Sequence, residues 1–352
     1  MTAAGIKFVP PGTEAPDSIA AHEAWVDVGS RAEPPVFDHH GGEAESSAAL
    51  VQAHSRWLQD RTVERIVTHS APDLDALTAI WLIRQSHSSG DRIDEHAVSR
   101  LVDLVTRHDR GDQPVVRPAR DWAVLFTESL ADLDDNARVS VGLEALSRTH
   151  DHLAQGLDED KLAEAVFPAE LIQRADASES DFENDCSAAW KYPVFLQHPI
   201  GKRNVIHTTD PVCAIFPRVL RWRARQRLIA ADVCVVSTTV AVSGFKALLW
   251  RHIISVPRDT ELTLKGLGDD LEQAERGKED QLGGPLVPER KRLAPGKGRF
   301  GSGVVSPWYD GRGHGYTIID TPCFSWKGKT VCGSLLTPEE VAAVLQNANH
   351  EP

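Results

Sequence analysis

The chain has 352 residues, 41% of them hydrophobic and 25% charged. That is enough for two domains, since single cores stop growing near roughly 250–300 residues. A formal net charge of −13 excludes broad coating of a nucleic acid, which needs a basic face, but not a small phosphate held by metal ions. No apolar run approaches the roughly 18 residues that cross a bilayer. The N-terminal MTAAGIKFVPPGTEAPD lacks the layout of a secretion signal. Five cysteines, with no C-x-x-C pair, read as buried small side chains rather than a disulfide framework or zinc site. A reducing cytoplasm and no membrane partner are therefore expected.

Trp25 to Gly29 (WVDVG) reads as a short strand with a glycine stop, and Pro35 to Phe37 leads into Asp38 as another. Glu45 to Asp60 carries Leu50, Val51, His54, Trp57 and Leu58 at helical spacing. Val63 to Thr68 (VERIVT) is a short β-branched strand ending at His69. Asp75 to Arg84 (DALTAIWLIR) is apolar nearly all round, the mark of a buried helix. Strand, polar turn and buried helix make a βα unit. Residues up to about 112 thus predict a doubly wound, mainly parallel α/β layer, with ligands at the carboxyl ends of its strands. Residues 115–185 read as helical and acidic, closing on a polar connection, ASESDFENDCSAA. The expected domains are 1–185, carrying the site, and 186–352, a smaller α+β domain. Within the latter, Gly277 to Arg299 predicts a loop rich in Gly, Pro, Lys and Arg. Thr337 to Gln346 predicts a helix, capped by threonine, with proline and acids in its first turn.

Four groups of residues carry chemistry. His69, Asp73 and Asp75 place an imidazole at a strand end and two carboxylates at the mouth of a buried helix. Carboxylates so close repel unless cations stand between them, and the mixed N/O set suits manganese, iron, cobalt or zinc better than magnesium alone; helix capping by Asp73 or Asp75 is the structural alternative. Asp38, His39 and His40 precede Gly41 and Gly42, where a phosphate could approach the backbone closely, or where an exposed polar turn would look the same. Asp27 is an acid inside a β-branched strand and needs a partner, a cation or a strand-end hydrogen bond. Asp109 falls on the same helix face as Val98, Leu101, Val102 and Val105, whereas Asp103 falls nearly opposite and Asp112 lies beyond Gly111.

Taken together, these groups resemble the motifs of the DHH phosphoesterase superfamily, which includes exonucleases, oligoribonucleases, cyclic-dinucleotide phosphodiesterases, and pyro- and polyphosphatases. His69, Asp73 and Asp75 match its first motif, Asp27 its second, Asp38, His39 and His40 its third, and Asp109 its fourth. The wording VDVG…FDHH…SSAALV looks most like a branch described as metal-dependent exonucleases. The likeness covers about residues 22–112. One departure stands out: the H-x-x-x-D-x-D motif follows the DHH motif here, whereas it comes first in the family. The resemblance implies two divalent cations, manganese foremost, with magnesium, cobalt or zinc as alternatives. His69 and Asp73 would bind one, Asp75, Asp109 and His39 the other, and Asp27 would bridge both. His40 would contact the phosphate and Asp38 would orient a histidine, these two being the catalytic pair. The expected activity is hydrolysis of a phosphate-containing small molecule, a nucleotide or a short single-stranded oligonucleotide. A degenerate domain acting as a nucleotide sensor or assembly partner is the alternative, and a homo-oligomer is compatible with either.

In the second half, the segment PWYDGRGHGY resembles the family's glycine-histidine substrate loop in flavour. Arg312, Gly313 and His314 are its candidate substrate contacts, and Trp308 or Tyr309 could stack on a base; an ordinary glycine-rich strand connection is the alternative. The basic run Arg290–Arg299 reads as solvated charge or as a flexible phosphate clamp, and the spacing of Arg218–Arg227 fits a basic helix, read as a salt-bridged surface rather than a nucleic-acid stripe.

Overall fold

A computed structural model describes residues 5–10, 13–41, 44–87, 94–110, 118–197, 200–212, 231–245, 247–256, 262, 264, 266–283, 291–292, 304–305, 308–310, 318–326 and 329–347. The chain divides into two compact units, Met1–Glu179 and Ser180–Pro352.

In the first unit, β1 (Gly5–Val9), β2 (Glu23–Val26), β3 (Val36–Phe37) and β4 (Arg65–His69) form a parallel sheet in the order β1-β4-β2-β3. The helices of this unit are α1 (Ser47–Ala53), α2 (Ser55–Gln59), α3 (Leu74–Ser86), α4 (Glu95–Arg110), α5 (Trp122–Ser129), α6 (Asp135–Ala154) and α7 (Glu159–Val166), and α8 (Ala169–Ala188) begins in it and runs on past Glu179. The α/β class with a parallel sheet agrees with the sequence, but the layering departs from the doubly wound expectation. Alternation along the strands sends Ala24, Val26, Phe37 and Ile66 to one face, where Phe37 meets His54 and Trp57 beside α1 and α2. Trp25, Val36 and Val67 face the other way, and Val9, Ala15 and Ile19 pack against them. Ala15 and Ile19 belong to the link between β1 and β2. Among the described residues of that link there is no helix of the kind a doubly wound layer would place there, and Pro16 disfavours one.

α3 is the most deeply buried helix run described in this half. Every residue from Leu74 to Ile83 is buried, so the helix runs through the core rather than over it. α6 crosses it closely at Gly142, where a Cβ would stand 2.8 Å from Leu77 Cδ1. Polar anchors tie neighbouring helices: Trp81 Nε1 donates to Ser147 Oγ at 3.0 Å, and Trp122 Nε1 to Thr149 Oγ1 at 3.0 Å. The single helix expected over Glu45–Asp60 is two short ones, broken at His54.

The second unit holds a six-stranded mixed sheet. Its strands are β5 (Trp190–Gln197), β6 (Ile200–Thr209), β7 (Val233–Val240) and β8 (Leu249–Ser255), then β11 (Tyr309–Asp310) and β12 (Ile318–Asp320), ordered β11-β12-β8-β7-β6-β5. Only β6 and β7 run parallel within it. Two small pairs accompany it: β9 (Lys291–Arg292) with β10 (Val304–Val305), and β13 (Cys323–Trp326) with β14 (Lys329–Cys332). Leu267 and Leu271 of α9 (Leu267–Gln281) and Val341 and Leu345 of α10 (Pro338–Asn347) join Val205, Val235, Ile254 and Ile319 in its core.

Four expectations are corrected here. The polar stretch ASESDFENDCSAA lies in α8 through Ala188; its charge conceals Phe182 and Cys186, which continue the buried spacing of Ile172 and Ala175. Gly277 to Gln281 belongs to α9 rather than to a loop. Trp308 is 3% exposed and stacks on His252, so it is core and is not available to a base. Cys323 and Cys332 form a disulfide, because antiparallel pairing of β13 and β14 sets them directly opposite. Arg312, Gly313 and His314, and the run Arg218–Arg227, lie outside the described residues, as does most of Arg290–Arg299.

Candidate metal centre

Three neighbouring strands end at one place. Trp25 lies opposite both Val36 of β3 and Val67 of β4. Two residues further on, Asp27, Asp38 and His69 therefore leave the sheet at the same level. Asp27 still donates its backbone N–H to Phe37 O at 3.0 Å, but its own φ is 54°. That left-handed conformation costs a non-glycine residue on the order of 1 kcal/mol. Gly29 follows at φ 119°, where a Cβ would stand 2.7 Å from Val36 Cγ1, so the sharp exit of β2 requires glycine there.

β2 is the middle strand of the three, and β4 lies beside it although it comes last of the four in sequence. His69 ends it, and the turn that follows is held by Asp135, whose Oδ1 accepts from Ala71 N at 2.7 Å. Asp73 caps α3 through Ala76 N at 3.1 Å, and Asp75 sits in the first turn, 3% exposed. After β3, Asp38, His39 and His40 enter a short 3₁₀ turn. Asp109 comes from the far end of α4.

The side chains converge on Asp27. Its Oδ2 lies 3.1 Å from His69 Nε2. Its Oδ1 lies 3.4 Å from His39 Nε2 and 3.5 Å from His40 Nδ1. His39 Nε2 also stands 3.7 Å from Asp75 Oδ2 and 3.8 Å from Asp109 Oδ2. Asp27, His69 and Asp73 offer ligand atoms within 4.8 Å of one another, as do Asp27, His39 and His40. His40 fits the second set less well than this spacing suggests. Its Nδ1 is engaged by Asp38 Oδ1 at 2.8 Å, and Asp38 also accepts from His40 N and Ser30 N at 3.0 and 2.7 Å. Asp38 thus fixes the ring of His40, the half-buried member of the pair. Asp103 is drawn away from the centre, to Arg107 at 3.3 Å on the surface; Asp112 lies outside the described residues.

Charge in the cluster is strongly coupled to position. Burial would raise the Asp27 pKa, but hydrogen bonds from His39 and His69 hold it well below the ordinary value. Burial opposes the protonated imidazoles, yet Asp27, with Asp75 and Asp109, raises His39 to about 10, and Asp27 with Asp73 does the same for His69. Asp75 is pushed well above the usual carboxylate range by burial and by its neighbours Asp27 and Asp109. Burial is outweighed at Asp38 and His40 by their mutual hydrogen bond, so the acid is lowered and the imidazole raised.

These donors could hold a metal ion. Two ligands bound about 2.1 Å from one ion stand roughly 3.0–3.4 Å apart. The distances from His39 Nε2 to its carboxylates exceed that by a few tenths at most.

Sequence reading passed over the role of Ser47. Its Oγ donates to Asp27 Oδ1 at 3.0 Å and its N–H to Asp75 Oδ2 at 2.7 Å, while Ala48 N donates to Asp75 Oδ1 at 2.9 Å. A pair of serines ahead of an apolar helix is an N-cap signature; it locates the helix start, but not what the start touches. Compared with protein families and with curated proteins, the chain matches no family model and no curated sequence.

Proposed function

We propose that the chain is a metal-dependent phosphoester hydrolase of the DHH type, acting on a nucleotide or short single-stranded oligonucleotide. The observation that carries this reading is the placement of Asp27. One of its oxygens faces His39 and the other faces His69, so a single carboxylate stands between two N/O donor sets. His69, Asp73 and Asp27 would hold one cation, and His39, Asp75, Asp109 and Asp27 the other. Two bound cations, manganese foremost, would lower the pKa of an attacking water and offset charge developing on the phosphoryl oxygens.

The chain's own residues have definable parts. Asp38 accepts two hydrogen bonds from His40 and so aims its ring. His40, its side chain 35% exposed, is the imidazole of the cluster best able to meet a phosphate oxygen. The net charge of −13 disfavours long polynucleotides, whose affinity rests on many basic contacts, and favours a substrate with few phosphates. The reversed motif order is compatible with this reading, because adjacency of β4 and β2 in the sheet, rather than their order in sequence, brings His69 to Asp27.

Metal analysis of the purified full chain, followed by a screen of nitrophenyl phosphodiesters, pyrophosphate and short oligonucleotides with added Mn(II), tests the proposal. Two manganese-class ions per chain with turnover of a phosphoester is the expected result. Two ions without turnover of any phosphorylated compound would leave the sensor reading, and fewer than two would remove the dinuclear site.

A further inference from the structure

Ser47 opens α1 and is fully buried. Both of its acceptors, Asp27 Oδ1 and Asp75 Oδ2, are the oxygens of those residues that stand nearest His39 Nε2, at 3.4 and 3.7 Å. The other Asp27 oxygen is turned to His69. Its neighbour Ser46 caps α1 through Ala49 N at 3.1 Å and meets Thr106 Oγ1 of α4 at 2.8 Å, three residues before Asp109. One serine pair therefore touches the strand exit that carries Asp27, the helix that carries Asp75 and the helix that carries Asp109.

From this geometry we infer that Ser47 is a positioning residue for the cation on the His39 side of the cluster, and that the His69 side is formed without it. The inference rests on the two-cation reading above. Asp27 and Asp75 are buried carboxylates side by side, and like charges there favour rotation away from each other. The Ser47 hydroxyl occupies one lone pair of Asp27 Oδ1, and the backbone N–H groups of Ser47 and Ala48 hold both oxygens of Asp75. Each carboxylate is thereby fixed with its remaining lone pairs set by the helix start. Partners of this outer kind change metal affinity by about 10–100-fold when removed. The backbone donors survive substitution; the hydroxyl does not, so it isolates the effect on Asp27 Oδ1.

The test is titration of the full chain with Mn(II) alone, read by calorimetry for the two affinities and by electron paramagnetic resonance for a spin-coupled manganese pair. The unsubstituted protein is expected to bind two ions and to show the coupled signal. Ser47→Ala should keep one site within about twofold and weaken the other about 10–100-fold, with the coupled signal emerging only at correspondingly higher Mn(II). A general loosening of the fold would weaken both sites together, and that result overturns the inference, as does wild-type binding by the variant. If Ser47→Ala does not fold, Ser47→Cys, close in shape but a weaker donor, is measured the same way. A shift confined to one site supports the inference, and unchanged affinities overturn it. Should the unsubstituted protein bind fewer than two ions, the two-cation reading itself fails; two ions with an indifferent Ser47→Ala removes only the role of Ser47.

Discussion

Asp103 and Asp109 lie on one helix and differ in what the helix phase gives them. Asp109 shares its face with the buried Val98, Leu101, Val102 and Val105, and reaches His39. Asp103, its side chain 67% exposed, pairs with Arg107, which is also engaged by Glu159 at 2.6 Å. Exposed pairs contribute at most about 1 kcal/mol. Under the proposed function, Asp109→Asn is therefore expected to lower Mn(II) affinity and phosphoesterase activity by about tenfold or more, since it would remove a charge from the proposed ligand set. Asp103→Asn should leave both within about twofold. Parallel manganese titrations and rate measurements on the two variants check this, and the opposite ranking would show that Asp103, not Asp109, serves the centre. Asp27 shows the limit of residue-level reading. Its sequence context identifies an acid that needs partners, but the left-handed turn that aims it depends on Gly29 meeting Val36 across the sheet.

At the scale of elements, legibility followed the strength of local pattern. β4 and α3 were readable because a β-branched run and an all-apolar run have few alternatives. Asp27, His39, His69, Asp73, Asp75 and Asp109 could be singled out because polar residues at strand and helix ends stand out against such runs. β1 was not readable: GIKFV sits between a short start and a proline-rich link, and its place beside β4 is a pairing between distant residues. The role of Ser47 was likewise hidden, because it depends on α1 lying against α3. The second half of α8 and the end of α9 depart from expectation for one reason, that charge and glycine suggest a connection and a loop where buried residues at helical spacing set the structure. Local chemistry did suffice at α10. Thr337 Oγ1 accepts from Glu340 N at 3.3 Å, and Glu340 returns the contact by accepting from Thr337 N at 2.8 Å, a capping box. Glu340 also holds Lys278 of α9. Thr337→Ala is expected to destabilise the protein by about 1 kcal/mol, read as a lower denaturation midpoint. No change would mean that α10 is held by Val341 and Leu345 alone.

Across the whole molecule, the two units treat buried histidine in opposite ways. In the first, imidazoles stand among carboxylates. In the second, His207 and His252 are fully buried and joined through Ser237, with Nε2 of His207 at 2.6 Å and Nδ1 of His252 at 2.7 Å from its Oγ. The protons along this chain are determined from one end. Leu336 O can only accept, so His252 Nε2 donates to it at 2.8 Å and its Nδ1, in the neutral ring, accepts from Ser237. Ser237 then accepts from His207 Nε2, and His207 Nδ1 accepts from Tyr192 Oη at 3.1 Å. A further proton on either ring would oblige the facing hydroxyl, Ser237 or Tyr192, to turn its own hydrogen away and accept instead. Burial lowers His207 to about 3, with His252 adding to the effect, and lowers His252 to about 4 against the weaker pull of Leu336 O and Asp320. Burial pushes the Tyr192 hydroxyl up, so it stays a donor. Because the folded-state values lie below the unfolded value near 6.5, the unfolded chain binds more protons in the acid range. The stabilisation is complete above about pH 6.5 and declines as pH falls toward the folded values, by about 2 kcal/mol per imidazole at pH 5. Hydrogen exchange of the full chain at pH 7.5 and 5.0, corrected for intrinsic rates, should therefore show protection falling in β6, β7 and β8. Unchanged protection there would mean that His207 and His252 are protonated, or exposed, in the folded protein already, and the directed chain from Tyr192 to Leu336 would have to be abandoned.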